Sequence, residues 1–218
     1  MNIRRTLVIL AILIFGLVGC DNEIPVTERI YEHLEETVTL EKDYASYQQQ
    51  ISDLEKQEQE IYDQITELPS DEFDQIIALA NNAIEIIDER EELIELEKES
   101  IETAKEEFLK VEELIEELED EEVKTNAINM FEKMIERYSA YEDLYDIYKH
   151  ILQLEKQFYD MYQKEDIDYD EITAHIETLN ENYELVIEKN KIFNEATRDY
   201  NELKKTFYLS TDLNIIYE

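Results

Sequence analysis

The chain is predicted to be all-α, an elongated antiparallel helical bundle of coiled-coil-like hairpins built from three to four long helices. Three observations predict it. Both glycines, Gly16 and Gly19, lie in the first nineteen residues, and only Pro25 and Pro69 interrupt the rest. Glu, Leu, Ile, Lys and Gln dominate, a composition suited to helices that bury one stripe and solvate the remainder. Apolar residues recur at three- and four-residue steps over most of the length, the period of a helix packed along a seam.

The first element is a leader. Arg4 and Arg5 precede an apolar run from Leu7 to Val18, and its twelve residues would span only about 18 Å, short of the roughly 30 Å of a hydrocarbon core. That pattern reads as a secretory signal, by the general route rather than as a twin-arginine leader. Leu17, Val18, Gly19 and Cys20 resemble a bacterial lipobox, in which cleavage precedes the cysteine and its sulfur carries a diacylglycerol. Two acyl chains suffice for stable anchoring, whereas one gives marginal binding. The expected organisation is a leader over 1–19, a lipidated start and short linker over 20–26, and a single helical domain over 27–218. The expected localisation is the extracellular face of the cell membrane, with the lipidated cysteine as the membrane contact.

Four helical stretches follow. The first carries Ile30, Leu34, Leu40, Tyr44, Tyr47, Ile51, Leu54, Ile61, Ile65 and Leu68, and Pro69 ends it because the residue before a proline avoids helical angles. The second holds a 3.5-residue beat from Phe73 to Leu118, interrupted at Arg90 and Glu97, which are expected to snorkel or to pair within the seam. The third carries two adjacent stripes, one through Val123, Met130 and Tyr141 and one through Phe131, Tyr138, Tyr145 and Leu152, so it needs two packing neighbours. The fourth runs from Ile172 through Leu179, Asn190 and Phe193 to Phe207, with Asn190 expected to fix register. Ser70 to Glu72, Asp120 to Glu122 and Asp168 with Glu171 read as helix starts, which puts breaks near 69, 120 and 165. Leu213, Ile215, Ile216 and Tyr217 are expected to dock on the bundle.

Charge and composition exclude several functions. The chain has a formal charge of −37, and about −39 without Arg4 and Arg5, so nucleic acid is ruled out as a general partner. A body without glycine cannot build phosphate-cradling loops or a nucleophile elbow. His33, His150 and His175 fit neither di-iron nor zinc-protease spacing, and no metal or cofactor is expected. Asp166, Asp168, Asp170 and Glu177 partly match a calcium loop, but Glu171 stands where its turn needs glycine, so a helix cap is the expected role. Tyr138, Tyr141, Tyr145 and Tyr148 form either a packing stripe with hydroxyls in water or a ligand-facing strip for glycan or peptide.

On the lipobox at Leu17 to Cys20, the mature length near two hundred residues and the acidic, glycine-free helical body, the chain resembles the YkyA-like family of cell-wall-binding lipoproteins of Gram-positive bacteria. The resemblance implies an extracellular lipoprotein associated with the envelope, and supplies no catalytic residues. A strongly acidic bundle is repelled by anionic wall polymers unless cations, alanylated polymer or a basic protein bridge the gap. The expected function is therefore a tethered binding or interaction module, with cell wall or an envelope protein as partner. The alternative is an envelope-associated hydrolase or a regulator of a cell-wall enzyme.

Overall fold

A computed structural model describes residues 24–69, 71–164 and 168–213. The lipobox residues and Leu17 to Cys20 as a whole lie outside them, as do Ile215, Ile216 and Tyr217. Six helices run in chain order: α1 Val26–Leu40, α2 Tyr44–Glu67, α3 Phe73–Phe108, α4 Val111–Glu116, α5 Glu121–Met161 and α6 Tyr169–Leu209. The described residues contain no strand. The helices α1 and α2 lie one after the other along α3, α3 packs on α5, and α5 packs along α6. The two stripes read on α5 are used in this way: it touches α3, α4 and α6.

Chain direction alternates, so each end of the rod collects residues distant in sequence. One core joins Ile30 and Leu34 of α1 to Phe108, Val111 and Ile115, to Met130, Met134 and Tyr138 of α5, and to Phe193, Tyr200 and Phe207 of α6. The other joins Ile51, Ile61 and Ile65 of α2 to Ile76, Ala83, Ile87 and Ile94 of α3, Phe158 of α5, and Ile172 and Leu179 of α6. Large side chains bridge α1 and α6 at the first end: Tyr31 meets Tyr208 at 5.5 Å between ring centroids, and the Tyr208 hydroxyl donates to Glu35 at 3.0 Å.

Helix ends follow local chemistry. Asp120 accepts from the amides of Glu122 and Val123, and Asp168 from those of Asp170 and Glu171, each satisfying amides that a first turn leaves free. α3 starts directly after the expected Ser70 to Glu72, of which Ser70 lies outside the described residues. The Glu72 side chain makes no capping bond.

Four further expectations are corrected. The first stretch is two helices, broken at residues 41–43, and the Ser100 hydroxyl donates to the freed Leu40 carbonyl at 2.7 Å. The Phe73 to Leu118 beat is likewise two helices. Leu109 and Lys110 take the shallow ψ angles of a 3-10 turn, close enough to helical for Val111 and Ile115 to stay on the buried seam. Asn190 is exposed and accepts from Asn194, on a stretch of α6 where Leu185 and Ile187 are exposed too, before Phe193 returns to the core. Of Arg90 and Glu97, both buried and neither snorkelling, only Arg90 makes the expected ion pair inside the bundle, with Glu58 and Glu155 of other helices, whereas Glu97 meets neutral partners.

Glu97 shows what such burial does. It accepts from Gln48 at 2.5 Å and from the Tyr141 hydroxyl at 3.0 Å, both neutral donors. Burial raises its carboxyl pKa to about 7, against the lowering effect of those two hydrogen bonds. The folded state therefore holds a proton between pH 5 and 7 that the unfolded chain has released, and stability contributed at low pH is lost as pH rises through that window. Replacing Glu97 by Gln is expected to leave stability at pH 4.5 nearly unchanged. At pH 8 the substitution should raise it by on the order of 1–3 kcal/mol relative to the native chain. Urea melts of both proteins at the two pH values measure the difference, and the general repulsion of an acidic chain cancels between them.

Candidate functional site

A cleft of about 440 Å³ opens in the second half of the rod, between α2 and α6, floored by α3 and α5. Its rim and walls carry Glu55, Tyr62, Phe158, Tyr159, Ile176 and Tyr183, with Glu58, Arg90 and Glu155 at its base. Side chains that bridge α1 and α6 close the other end of the bundle; here the lateral gap between α2 and α6 remains.

Arg90 organises the base. Its side chain is 2 % exposed. One terminal nitrogen, Nη1, donates to Glu58 of α2 and to Glu155 of α5, the latter at 2.8 Å. Its Nε and Nη2 donate to the Tyr148 hydroxyl at 3.1 and 2.8 Å, and that hydroxyl donates in turn to Glu55 at 2.8 Å. The Tyr183 hydroxyl of α6 donates to the other oxygen of Glu155. One guanidinium thus ties all four layers of the bundle together.

The electrostatics are unbalanced. Burial works against the Arg90 charge, but Glu155, Tyr148 and Glu58 outweigh it and hold the guanidinium above its ordinary range. Burial pushes the Glu58 carboxyl up, and repulsion from Glu155 adds to this against the attraction of Arg90. Glu155 is also pushed up by burial. A single cation serves Glu55, Glu58 and Glu155, so two like charges share a low-dielectric space and the second proton leaves reluctantly.

A second buried arginine sits one layer along. Arg137 of α5 donates from two nitrogens to the two oxygens of Glu41, at 2.9 and 2.7 Å, and from Nε to Thr197 of α6 at 3.0 Å. Glu41 lies in the break between α1 and α2, where the local turn carries its carboxylate onto Arg137. Neither residue stood out in the linear pattern. A usable signal was present: Glu41, Gln48 and Glu55, Glu97 and Arg90, and Tyr141, Tyr148 and Glu155 are each spaced by seven.

The four candidate tyrosines divide. Tyr138 and Tyr141 are inside the first core, at 1 % and 2 % exposure. Tyr145 is half-buried, donating to Glu95 at 2.8 Å, and Lys98 lies 4.3 Å from its ring centre. Tyr148 faces Arg90. The hydroxyls of Tyr141, Tyr145 and Tyr148 each donate to a carboxylate, because each lies opposite an acidic residue of α2 or α3. Among the described residues no group of three His, Cys, Asp or Glu side chains is arranged to hold a metal ion.

Removing Arg90 leaves buried carboxylates without a counter-charge. Arg90→Leu is expected to destabilise the fold by about 3–5 kcal/mol at pH 7.5, and by less at pH 5, below the raised pKa of about 7 of Glu58. Joint replacement of Arg90, Glu58 and Glu155 by Leu, Met and Leu is expected to recover most of the loss. Denaturant melts of the two variants at both pH values test this.

The comparisons with known proteins agree with this architecture. A family model described as "Putative cell-wall binding lipoprotein" and named YkyA matches residues 26–210. The "Uncharacterized lipoprotein YkyA" of Bacillus subtilis (strain 168) is 30 % identical over 192 residues, covering 88 % of this chain and 86 % of that one. A crystal structure of a conserved protein of unknown function from Staphylococcus aureus superimposes with a TM-score of 0.61 over 83 % of this chain and 91 % of that one. At 11 % identity it shares the fold alone. The all-helical bundle, the matched span and the identity over most of both chains together establish that this chain belongs to the YkyA lipoprotein family.

Proposed function

We propose that the mature chain is a non-enzymatic binding module of the cell envelope, tethered by a diacylglyceryl group on Cys20 and presenting the Arg90 cleft to a ligand of the wall. The observation that carries this reading is the position of the cleft. α1 starts at Val26, six residues after Cys20, while Glu58 lies on α2 some thirty-two residues further along. At 1.5 Å per helical residue the rod holds its cleft about 45 Å from the tethered end. A lipid-anchored rod with a recess at its distal half reaches away from the bilayer, toward the wall that its family is named for binding. Among the described residues no helix is long and apolar enough to cross a membrane, so the leader and Cys20 carry the anchoring role in this reading.

A second reading, an envelope hydrolase or a regulator of one, draws on Glu58 and Glu155, two raised carboxyls in a recess. It is the weaker reading because Arg90, Tyr159 and Tyr183 already engage those carboxylates, leaving neither free to meet a scissile bond.

Two experiments test the proposal. Cys20→Ala should release the chain from membranes into the medium, and globomycin should leave an uncleaved, heavier form in the membrane. Purified wall sacculi should retain the protein in cosedimentation, with and without divalent salt, and should stay intact. Release of soluble wall fragments would favour the hydrolase reading instead.

A further inference from the structure

We infer that the cleft over Arg90 is a receptor for a primary ammonium group, an inference that rests on the binding reading above and names its ligand chemistry. The charges facing the cleft are Glu55 and Glu58 from α2, Arg90 from α3 and Glu155 from α5, while α6 lines it with the uncharged Ile176, Leu179, Asn180 and Tyr183. Three carboxylates face one cation. Glu58 and Glu155 are engaged at the base, so Glu55 at the mouth is the carboxylate that can meet a second positive charge.

The surrounding groups select among possible ligands. An anion finds no free cationic donor, because every nitrogen of Arg90 is already committed to Tyr148, Glu58, Glu155 or Glu55. A divalent metal finds no converging set of three ligands among the described residues. A primary ammonium fits both polar and apolar parts. Glu55, whose side chain is 45 % exposed, stands at the mouth where an incoming charge can reach it. Tyr62 and Tyr183, the less buried of the aromatic residues lining the cleft, bring rings to its walls, and a ring face attracts a cation within about 6 Å of its centre. The same chain uses this contact internally, with Arg90 5.4 Å from the Tyr148 ring centre. The volume of about 440 Å³ accommodates an amine with a short carbon chain.

The ligand class also resolves the repulsion that the composition raises. A chain of formal charge −37 approaches an anionic wall unfavourably, and an ammonium borne by the wall is a group on which it can close. Such a group can come from an aminoacyl ester on an anionic polymer or from the side chain of a peptide.

The test is saturation-transfer NMR and calorimetry on the full mature chain with n-butylammonium, alanine methyl ester and N-acetyl-lysine amide, the last two standing for the two sources. N-butylacetamide is the uncharged control. The expected result is saturable binding of the amines in the millimolar range, no binding of the amide, and at least roughly fivefold weaker binding in Glu55→Gln and in Tyr183→Leu. Glu55→Gln keeps an acceptor for Tyr148, and both variants should retain the native helical signal; Glu122→Gln, on the far surface, should bind as the native chain does. Absence of saturation up to about 50 mM, equal binding of the amide, or full affinity in both cleft variants would overturn the inference. Retention on sacculi without amine binding would leave the wall reading standing and remove the receptor. Amine binding without retention would do the reverse.

Discussion

The structure depends on a buried guanidinium held between two carboxylates from different helices. Arg90 joins Glu58 of α2 to Glu155 of α5, and through Glu155 reaches Tyr183 of α6. Apolar seams alone would let long helices slide by a heptad with little penalty, since every seam position offers similar side chains. A buried ion cluster removes that freedom, because any shifted register strands a charge in the interior, at several kcal/mol. Arg137 with Glu41 repeats the device one layer along, so α1, α2, α5 and α6 are each pinned by a specific polar contact.

This constraint also explains where the rod is open. The first core is closed by aromatic and long polar side chains that bridge α1 and α6, among them Tyr31, Tyr208 and Lys204. In the second half the network around Arg90 forms the floor of the gap between α2 and α6, and its polar atoms need room and partners rather than close apolar packing. Binding capacity and register specificity are therefore properties of one group of residues.

Much of the fold was legible because it is periodic or local. The beat from Ile76 to Phe108 identified the buried face of α3, and Asp120 and Asp168 announced the starts of α5 and α6 through short-range capping chemistry. Arg90 and Glu97 stood out as polar residues on an apolar seam. Their carboxylate and amide partners did not, because Glu58, Glu155 and Gln48 come from other helices and look like ordinary residues of a solvated face until the helices are brought together. The breaks at 41–43 and 109–110 carry neither proline nor glycine, so local composition gave no warning. The cleft is a gap between two helices remote in sequence, a quantity that no stripe encodes.

The central claim is that Glu58 and Glu155 are buried carboxyls sharing one counter-ion. Side-chain carboxyl carbon chemical shifts, followed by NMR from pH 3 to 9 on the native chain, report it directly. The pair should titrate in coupled steps with at least one apparent pKa well above the ordinary glutamate range. Simple, independent titration of both residues near pH 4.3 would show them solvated and would contradict it.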